Sequence, residues 1–156
     1  MNITDLLEDG AVTINLKGRE KPEVLAELVD LLEVSGSIKK TGKAEVLKKL
    51  EEREMLGSTG IGKGVAIPHA KCHKVKKMIA SLGIAKKGLD FKSLDGEPTR
   101  IFFLLVAPGE TPGPHLKALA KISRLLDDKF IRDRLLSVKN SQDVLRIIRD
   151  EERKVS

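Results

Sequence analysis

Side chains suited to phosphoryl chemistry lie on both sides of one glycine-rich segment. Arg53 precedes four glycines, and His69 follows the short apolar run and proline of residues 65–68. A neutral imidazole is a nucleophile near pH 7, and a guanidinium group suits phosphoryl oxygens. Glycines allow a loop to bring backbone N–H groups close to an anion. Residues 65–67 are long enough for a short strand that Pro68 would end. We therefore take His69, at the end of that strand, as the candidate functional centre.

The glycine-rich segment itself nearly matches the phosphate-binding loop of nucleotide hydrolases. The match fails at Gly64, which stands where a Ser or Thr hydroxyl would hold magnesium. The predicted order is also wrong, because here a helix precedes the loop and a strand follows it. We therefore expect no nucleotide cofactor and no ATP hydrolysis. Two interpretations remain: a connection without a ligand, or a loop whose N–H groups support a phosphoryl group on a neighbouring residue.

A second possible cluster, for a metal ion, consists of His69, Cys72 and His73. Their spacing resembles no closed zinc site, and no other cysteine or pair of acids is near in the sequence. We interpret His73 as a surface residue among lysines and Cys72 as an inert thiol, and we expect no metal. A metal-dependent enzyme using His69 and His73 is the weakest alternative.

Arg53 and His115 each have an ordinary and a functional interpretation. Arg53 is either a solvated i,i+4 partner on its helix or a fixed cation for a phosphoryl oxygen. His115 is either an ordinary residue at the start of a helix or a partner of His69, since both lie at ends of apolar segments, where loops converge. The functional interpretation predicts that the two histidines face each other across one shallow pocket, with Arg53 at its rim.

Composition narrows the class of protein. The 156 residues suit one domain, and the contents of 40% apolar and 33% charged residues are typical of a soluble globular chain. Without Trp or Tyr, stacking on single-stranded nucleic acid is not expected. The single Cys72 excludes an internal disulfide and fits a reducing compartment. We find no signal peptide and no apolar run near the roughly 20 residues of a membrane span, so we expect a cytoplasmic protein without membrane insertion.

The net charge of +6 has two interpretations. Lysines are spread among acids along the chain, and the densest cluster is Lys71, Lys74, Lys76 and Lys77, directly after His69. The cluster is either an ordinary solvated surface or a docking rim for an acidic partner or a phosphorylated group.

Hydrophobic periodicity predicts the elements that must position these residues. Helices are predicted over residues 2–8, 22–35, 42–55, 115–126, 130–136 and from 141 onward. Strands are predicted over residues 11–16, 65–67, 78–85 and 101–106, with a turn at residues 86–88. The almost wholly apolar run 101–106 indicates a central strand covered on both faces. The helix after His115 is predicted to bury Leu116, Leu119, Ala120, Ser123 and Leu126. Intermixed helices and strands indicate a single α/β domain over residues 1–156, a sandwich with helices on both faces of a mixed sheet.

Residues 54–70 resemble the active-site signature of the type-2 IIA proteins of the bacterial phosphotransferase system, the fructose/mannitol family. That signature is an acidic or amide residue, six positions, an apolar residue, Gly, two positions, then apolar-Ala-apolar-Pro-His-small. This chain supplies, without departure, Glu54, Ile61, Gly62, Val65, Ala66, Ile67, Pro68, His69 and Ala70. Length and element order extend the resemblance over nearly the whole chain, and His115 with its neighbours resembles the second histidine of the family. The glycine-rich segment is most similar to the nitrogen-regulatory branch.

The resemblance implies a phosphocarrier that is a component of a phosphotransferase. His69 would accept a phosphoryl group from a histidine phosphocarrier protein and pass it to a IIB partner, in sugar uptake or in regulation. It also implies that Arg53 and His115 stabilise the phosphoryl group, that no cofactor or metal is needed, and that the partners are separate chains. The alternative from another class is a regulatory protein-binding module of the nitrogen type, whose contacts depend on phosphorylation of His69. Neither a sugar specificity nor an oligomeric state follows from the resemblance.

Overall fold

The computed structural model describes residues 2–109 and 112–155. In these residues six strands form one sheet, and five α-helices pack on its two faces. The strands are β1 (Leu7–Thr13), β2 (Gly60–Gly62), β3 (Val65–Ala66), β4 (His69–Lys71), β5 (Ile79–Leu89) and β6 (Thr99–Ala107). The α-helices are α1 (Lys21–Val34), α2 (Lys43–Met55), α3 (Pro112–Asp127), α4 (Lys129–Leu136) and α5 (Ser141–Val155). Short 3-10 helices span Ile3–Leu6 and Lys40–Gly42.

The sheet is mixed, and β6 is its central strand. The strand order is β1-β5-β6-β3-β2, with β4 also paired to β6. The β5–β6 and β2–β3 pairs are antiparallel, whereas β1–β5, β3–β6 and β4–β6 are parallel. Every residue of β6 from Ile101 to Ala107 is buried. The apolar run therefore does form the central strand that its sequence predicted.

The two faces of the sheet carry separate apolar cores. Side chains of β6 alternate between the faces because successive residues of a strand point to opposite sides. The face covered by α1 and α2 packs Phe102, Leu104 and Val106 against Leu25, Leu28, Val46 and Leu50. The face covered by α3, α4 and α5 packs Ile101, Phe103 and Leu105 against Ile122, Leu135 and Ile148. The predicted α/β sandwich with helices on both faces is confirmed.

Two local predictions are wrong where pairing between strands overrides local preference. The first helix covers only Ile3–Leu6, and β1 then starts at Leu7, where it pairs with Ala80 of β5. The turn predicted at residues 86–88 is instead part of β5. The register shifts between Ile84 and Leu89, so the extra residues form a bulge rather than a reversal of the chain.

The inner face of α3 also differs from the prediction. The helix begins at Pro112, three residues before the predicted start, and its buried side chains are those of His115, Ala118, Ile122 and Leu126. Leu116 is instead 64% exposed, and Ala120 is exposed as well. The prediction left His115 out of the buried stripe of the helix. The predicted inner face was therefore rotated relative to the observed one and included residues that are exposed to solvent. The consequence is that this histidine points into the protein.

Candidate functional site

His69 is the first residue of β4 and lies beside the central strand. The strands β3 and β4 pair with β6 in one register, with Ala66 opposite Phe102 and His69 opposite Leu105. The carbonyl of Pro68 accepts a hydrogen bond from Leu105 N at 2.9 Å. The strand β3 ends before Pro68, as the sequence predicted, but pairing with β6 resumes at once in β4, because proline lacks only the N–H group and its carbonyl still pairs. The backbone at and next to His69 is consequently held by pairing with β6.

The ring of His69 has a defined orientation. Its Nδ1 lies 2.7 Å from the carbonyl oxygen of Ile67. A carbonyl oxygen only accepts hydrogen bonds, so Nδ1 carries the proton of the neutral ring and donates it. The lone pair of the ring is therefore on Nε2. The half-buried imidazole presents a nucleophilic Nε2 and anchors its other nitrogen to the backbone.

His115 is the nearest described ring to this imidazole. The two ring centroids are 5.7 Å apart and the planes are inclined by 50°. His115 is only 5% exposed, and its Nδ1 is buried without a hydrogen-bond partner among residues 2–109 and 112–155. The structure thus brings together the two histidines that the sequence predicted to be neighbours.

Arg53 lies in the last turn of α2, next to the same site. Its Nη1 donates to the carbonyl oxygen of Gly57 at 2.9 Å, which ties the guanidinium group to the start of the glycine-rich segment. Its charge is close enough to His69 to affect the pKa of that ring. Arg53 is therefore fixed by the backbone of the loop and sits within electrostatic range of the imidazole.

Burial keeps both histidines neutral near pH 7. Burial lowers the pKa of His69, and the charge of Arg53 lowers it further, against opposing effects from the Ile67 carbonyl and from Glu54. The pKa of His115 is lowered by burial first, and then by the neighbouring His69 and Lys71. Both groups therefore titrate below their ordinary value of 6.5.

This shift gives a testable pH dependence. The unfolded chain takes up a proton at His69 near pH 6.5, whereas the folded chain does so only at lower pH. The unfolded state therefore binds more protons in this window, and the contribution of His69 to stability is lost as the pH falls from 6.5 through the folded-state pKa. We expect NMR titration of the ring to give a midpoint below that of the same histidine in denatured protein. A midpoint at or above the denatured value would contradict the neutral site described here.

The glycine-rich segment forms a β-hairpin rather than a nucleotide-binding loop. The strands β2 and β3 are joined by Lys63 and Gly64, whose φ angles are +59° and +79°. Positive φ at both central residues is the geometry of a tight hairpin turn, and glycine adopts it without steric cost. The observed order of helix, loop and strand is the predicted one, and it differs from that of the nucleotide-binding loop.

The backbone N–H groups at the start of this segment are mostly used within the protein. The N–H groups of Thr59, Gly60 and Lys63 donate to side chains of Glu54, Ser58 and Asp95, respectively. These three donors are consequently not available to a phosphoryl group on His69. The expected support from loop N–H groups therefore stays a prediction for the other residues of the segment, because local side chains already satisfy these three.

Glu54 is a residue of the site for which the sequence analysis found no role. Its side chain is only 4% exposed and forms an ion pair of 2.8 Å with Lys21. It also accepts from the backbone N–H of Thr59 at 3.3 Å and from the hydroxyl of the same residue. The sequence pointed to Glu54 only as the first residue of the signature. Its contacts with Lys21 and Thr59 become visible only in the folded structure.

Comparison with known proteins identifies the family. Residues 5–151 match the family model described as the phosphoenolpyruvate-dependent sugar phosphotransferase system, EIIA 2. The chain belongs to this family. As a member of the EIIA 2 family, it carries the signature histidine at His69, beside the buried ring of His115.

Relatives of this EIIA 2 chain are of two kinds. A nitrogen regulatory protein of Bradyrhizobium diazoefficiens is 38% identical over 150 residues, which are 95% of each chain. The crystal structure of nitrogen regulatory protein IIA-Ntr from Neisseria meningitidis has a TM-score of 0.85 at 32% identity, covering 94% of this chain and 98% of that one. The fructose-specific EIIABC component of Bacillus subtilis is 35% identical over 153 residues, which are 98% of this chain but only 24% of that relative.

The other two residues considered for metal binding differ in their exposure. Cys72 is buried and His73 is exposed. Within the part of the chain that the structure describes, no group of three His, Cys, Asp or Glu side chains is arranged to hold a metal ion.

None of the described helices has the length and apolar character needed to cross a bilayer.

Proposed function

We propose that this chain is a phosphocarrier, which accepts a phosphoryl group on Nε2 of His69 from a histidine phosphocarrier protein and passes it to a IIB protein or domain. The observation that carries this proposal is the hydrogen bond from His69 Nδ1 to the Ile67 carbonyl, which leaves the lone pair on Nε2. The proximity of His115 and Arg53 and membership of the EIIA 2 family support it.

The bonds made and broken in the transfer step involve only the imidazole of the donor and that of His69. The Nε2 lone pair of His69 attacks the phosphorus of the donor phosphohistidine, and an N–P bond forms as the donor N–P bond breaks. The departing donor imidazole keeps the electron pair of that bond and becomes neutral by taking up a proton from water, because His69 keeps its own proton on Nδ1. Transfer of this type depends mainly on positioning and on neutralising the phosphoryl oxygens.

Arg53 and His115 are suited to that neutralisation. The guanidinium group of Arg53 supplies a fixed positive charge and several N–H donors. The neutral ring of His115 supplies one N–H donor from a position that burial has already desolvated. His69 keeps its proton on Nδ1 and donates it to the Ile67 carbonyl throughout, so the ring is anchored both before and after transfer.

The direct test is reconstitution with enzyme I, a histidine phosphocarrier protein and phosphoenolpyruvate. We expect one phosphoryl group per chain, located on His69, stable in base and labile in acid. Acid lability follows because protonation of the phosphoramidate nitrogen makes the imidazole a good leaving group. A cognate system that transfers no phosphoryl group to the folded protein would overturn the proposal.

A regulatory function is the second candidate, and the similarity to nitrogen regulatory proteins favours it. The Bradyrhizobium nitrogen regulatory protein aligns over 95% of both chains. In this candidate, phosphorylation of His69 changes which proteins bind the chain, and delivery to a IIB partner is not the main role. Affinity capture with phosphorylated and unphosphorylated protein distinguishes the candidates. Both candidates use a cytoplasmic phosphoryl donor, so we expect the protein in the cytoplasm.

The basic surface beside His69 predicts an acidic partner face. Lys71 is exposed, lies two residues after His69 on the same strand, and is close enough to lower the pKa of His115. We expect the second-order labelling rate to fall about 10-fold between low and high salt, because screening removes electrostatic steering. Lys71→Glu should weaken this salt dependence.

Lys139→Glu is the matched control for Lys71→Glu. It makes the same charge change in the segment after α4, where Val138 contacts Lys86 at the far end of β5 from His69. Equal effects of the two substitutions, or a labelling rate that does not depend on salt, would contradict an acidic docking partner.

A further inference from the structure

We propose that Glu54 is a positioning residue for His69, and that it fixes the free nitrogen of the imidazole through hydrogen bonds relayed by Thr59 and Ile67. This inference rests on the proposed phosphoryl transfer at Nε2, and it adds a residue that does not itself touch the ring. The relay joins the end of α2 to the start of β4 across the hairpin of β2 and β3.

The relay begins at the buried carboxylate. Both oxygens of Glu54 lie 3.3 Å from Thr59 N, and the hydroxyl of Thr59 donates to one of them. Lys21 Nζ neutralises the carboxylate at 2.8 Å and also lies 4.6 Å from the centre of the Phe91 ring. A buried charge is costly unless it is paired and fully hydrogen-bonded, so this carboxylate is held in one arrangement.

Two further hydrogen bonds carry that arrangement to the imidazole. The carbonyl of Thr59 accepts from Ile67 N at 3.0 Å. The carbonyl of Ile67 then accepts from His69 Nδ1 at 2.7 Å. Thr59 and Ile67 each use their backbone N–H group for one hydrogen bond of the relay and their carbonyl oxygen for the next. The carboxylate thereby determines where the acceptor for Nδ1 lies.

The position of this acceptor determines which nitrogen can act as the nucleophile. With the Ile67 carbonyl in place, the proton stays on Nδ1 and Nε2 is free to attack. If the carbonyl moves away, the ring can carry its proton on Nε2 instead, and the reactive lone pair then faces the backbone. A hydrogen-bonded residue behind a reactive histidine commonly fixes the tautomer in this way.

The test is the tautomer of His69, read from the nitrogen chemical shifts of its ring at neutral pH. We expect wild-type protein to carry the proton on Nδ1. Glu54→Ala should give a mixture of both tautomers. Glu54→Gln should restore most of the wild-type state, because its amide oxygen still accepts from Thr59. Thr59→Val removes only the hydroxyl and should have a smaller effect in the same direction.

Glu152→Ala is a matched control. The Glu152 carboxylate accepts from the backbone N–H of Ile3 at 2.6 Å, and from the N–H and hydroxyl of Thr4 at 3.2 and 3.3 Å. Like Glu54, it accepts from backbone N–H groups and a threonine hydroxyl and so holds a segment of the chain in place. It lies on α5, and in the part of the chain described it has no contact with His69. Its loss should lower stability and leave the tautomer of His69 unchanged.

Labelling by the phosphorylated carrier is the second measurement. We expect Glu54→Ala to slow it about 10-fold, which is the lower end of the effect of removing a residue that orients a metal-ligating histidine, and Glu54→Gln to recover most of the rate. An unchanged tautomer in Glu54→Ala, or an equal change in Glu152→Ala, would overturn the inference. If Glu54→Ala does not fold, Thr59→Val decides by the same readout, and a wild-type tautomer in that variant would overturn the inference. Because the tautomer is measured without a phosphoryl donor, wild-type protein that takes up no label would refute only the proposed function.

Discussion

Replacement of His69 with alanine is expected to abolish phosphoryl uptake from the histidine phosphocarrier. The second ring of the site cannot take over as acceptor, because His115 is 5% exposed and its Nδ1 is buried. Backbone pairing between β4 and β6 does not depend on the side chain, so the variant should fold. The measurement is stable incorporation of radioactive phosphate from phosphoenolpyruvate, together with a thermal unfolding curve for the variant.

His73→Ala is the matched control for this experiment, since it removes an exposed imidazole four residues away. It should take up label at the wild-type rate. Labelling of His69→Ala at the wild-type rate would show that another residue is the acceptor, and the site described here would be incorrect.

Replacement of His115 with alanine is expected to slow labelling of His69 by about 100-fold, which is the usual effect of removing one preorganised donor from a charge-stabilising site. The reason is position: the ring lies 5.7 Å from His69 and is desolvated before the reaction begins. The His69 nucleophile keeps its hydrogen bond to Ile67, so labelling should be slow but not absent. Single-turnover kinetics with phosphorylated carrier measures the change.

The result for His115→Ala must be separated from a loss of fold or of docking. His115 packs in the first turn of α3, so the free energy of unfolding is measured alongside the rate. The affinity of unphosphorylated carrier for the variant should equal that for wild type, since a buried ring contributes little to a docking surface. A wild-type labelling rate in a folded variant would reduce His115 to a packing residue.

The parts of the fold that the sequence predicts are those set by local patterns. The apolar run 101–106 can only be satisfied by burial on both faces, and it forms the central strand β6. Pro22 marks the start of α1 because its missing N–H is not needed there. In contrast, β5 continues through Gly88 because β6 pairs with its far end, and no local pattern reveals that partner.

Some residues of the candidate site could likewise be predicted from the sequence, and others could not. His69, His115 and Arg53 were identified from residue type, from position at the ends of apolar segments, and from the resemblance to a family signature. The contribution of Glu54 could not be deduced, because it depends on a hairpin that returns Thr59 to the end of α2 and Ile67 to Thr59. The misassigned face of α3 has a similar cause, since a histidine was not counted among the inward-facing residues.

The attachment of His69 beside β6 has a consequence for how the phosphorylated state is sensed. The backbone under the imidazole pairs with β6, whose residues from Ile101 to Ala107 are all buried, and buried central strands are among the last parts of a domain to open. A phosphoryl group added there cannot easily reshape the sheet. In the proposed function, a partner that distinguishes the two states would therefore recognise the added negative charge itself, beside the exposed Lys71 and the charge of Arg53, and not a refolded sheet.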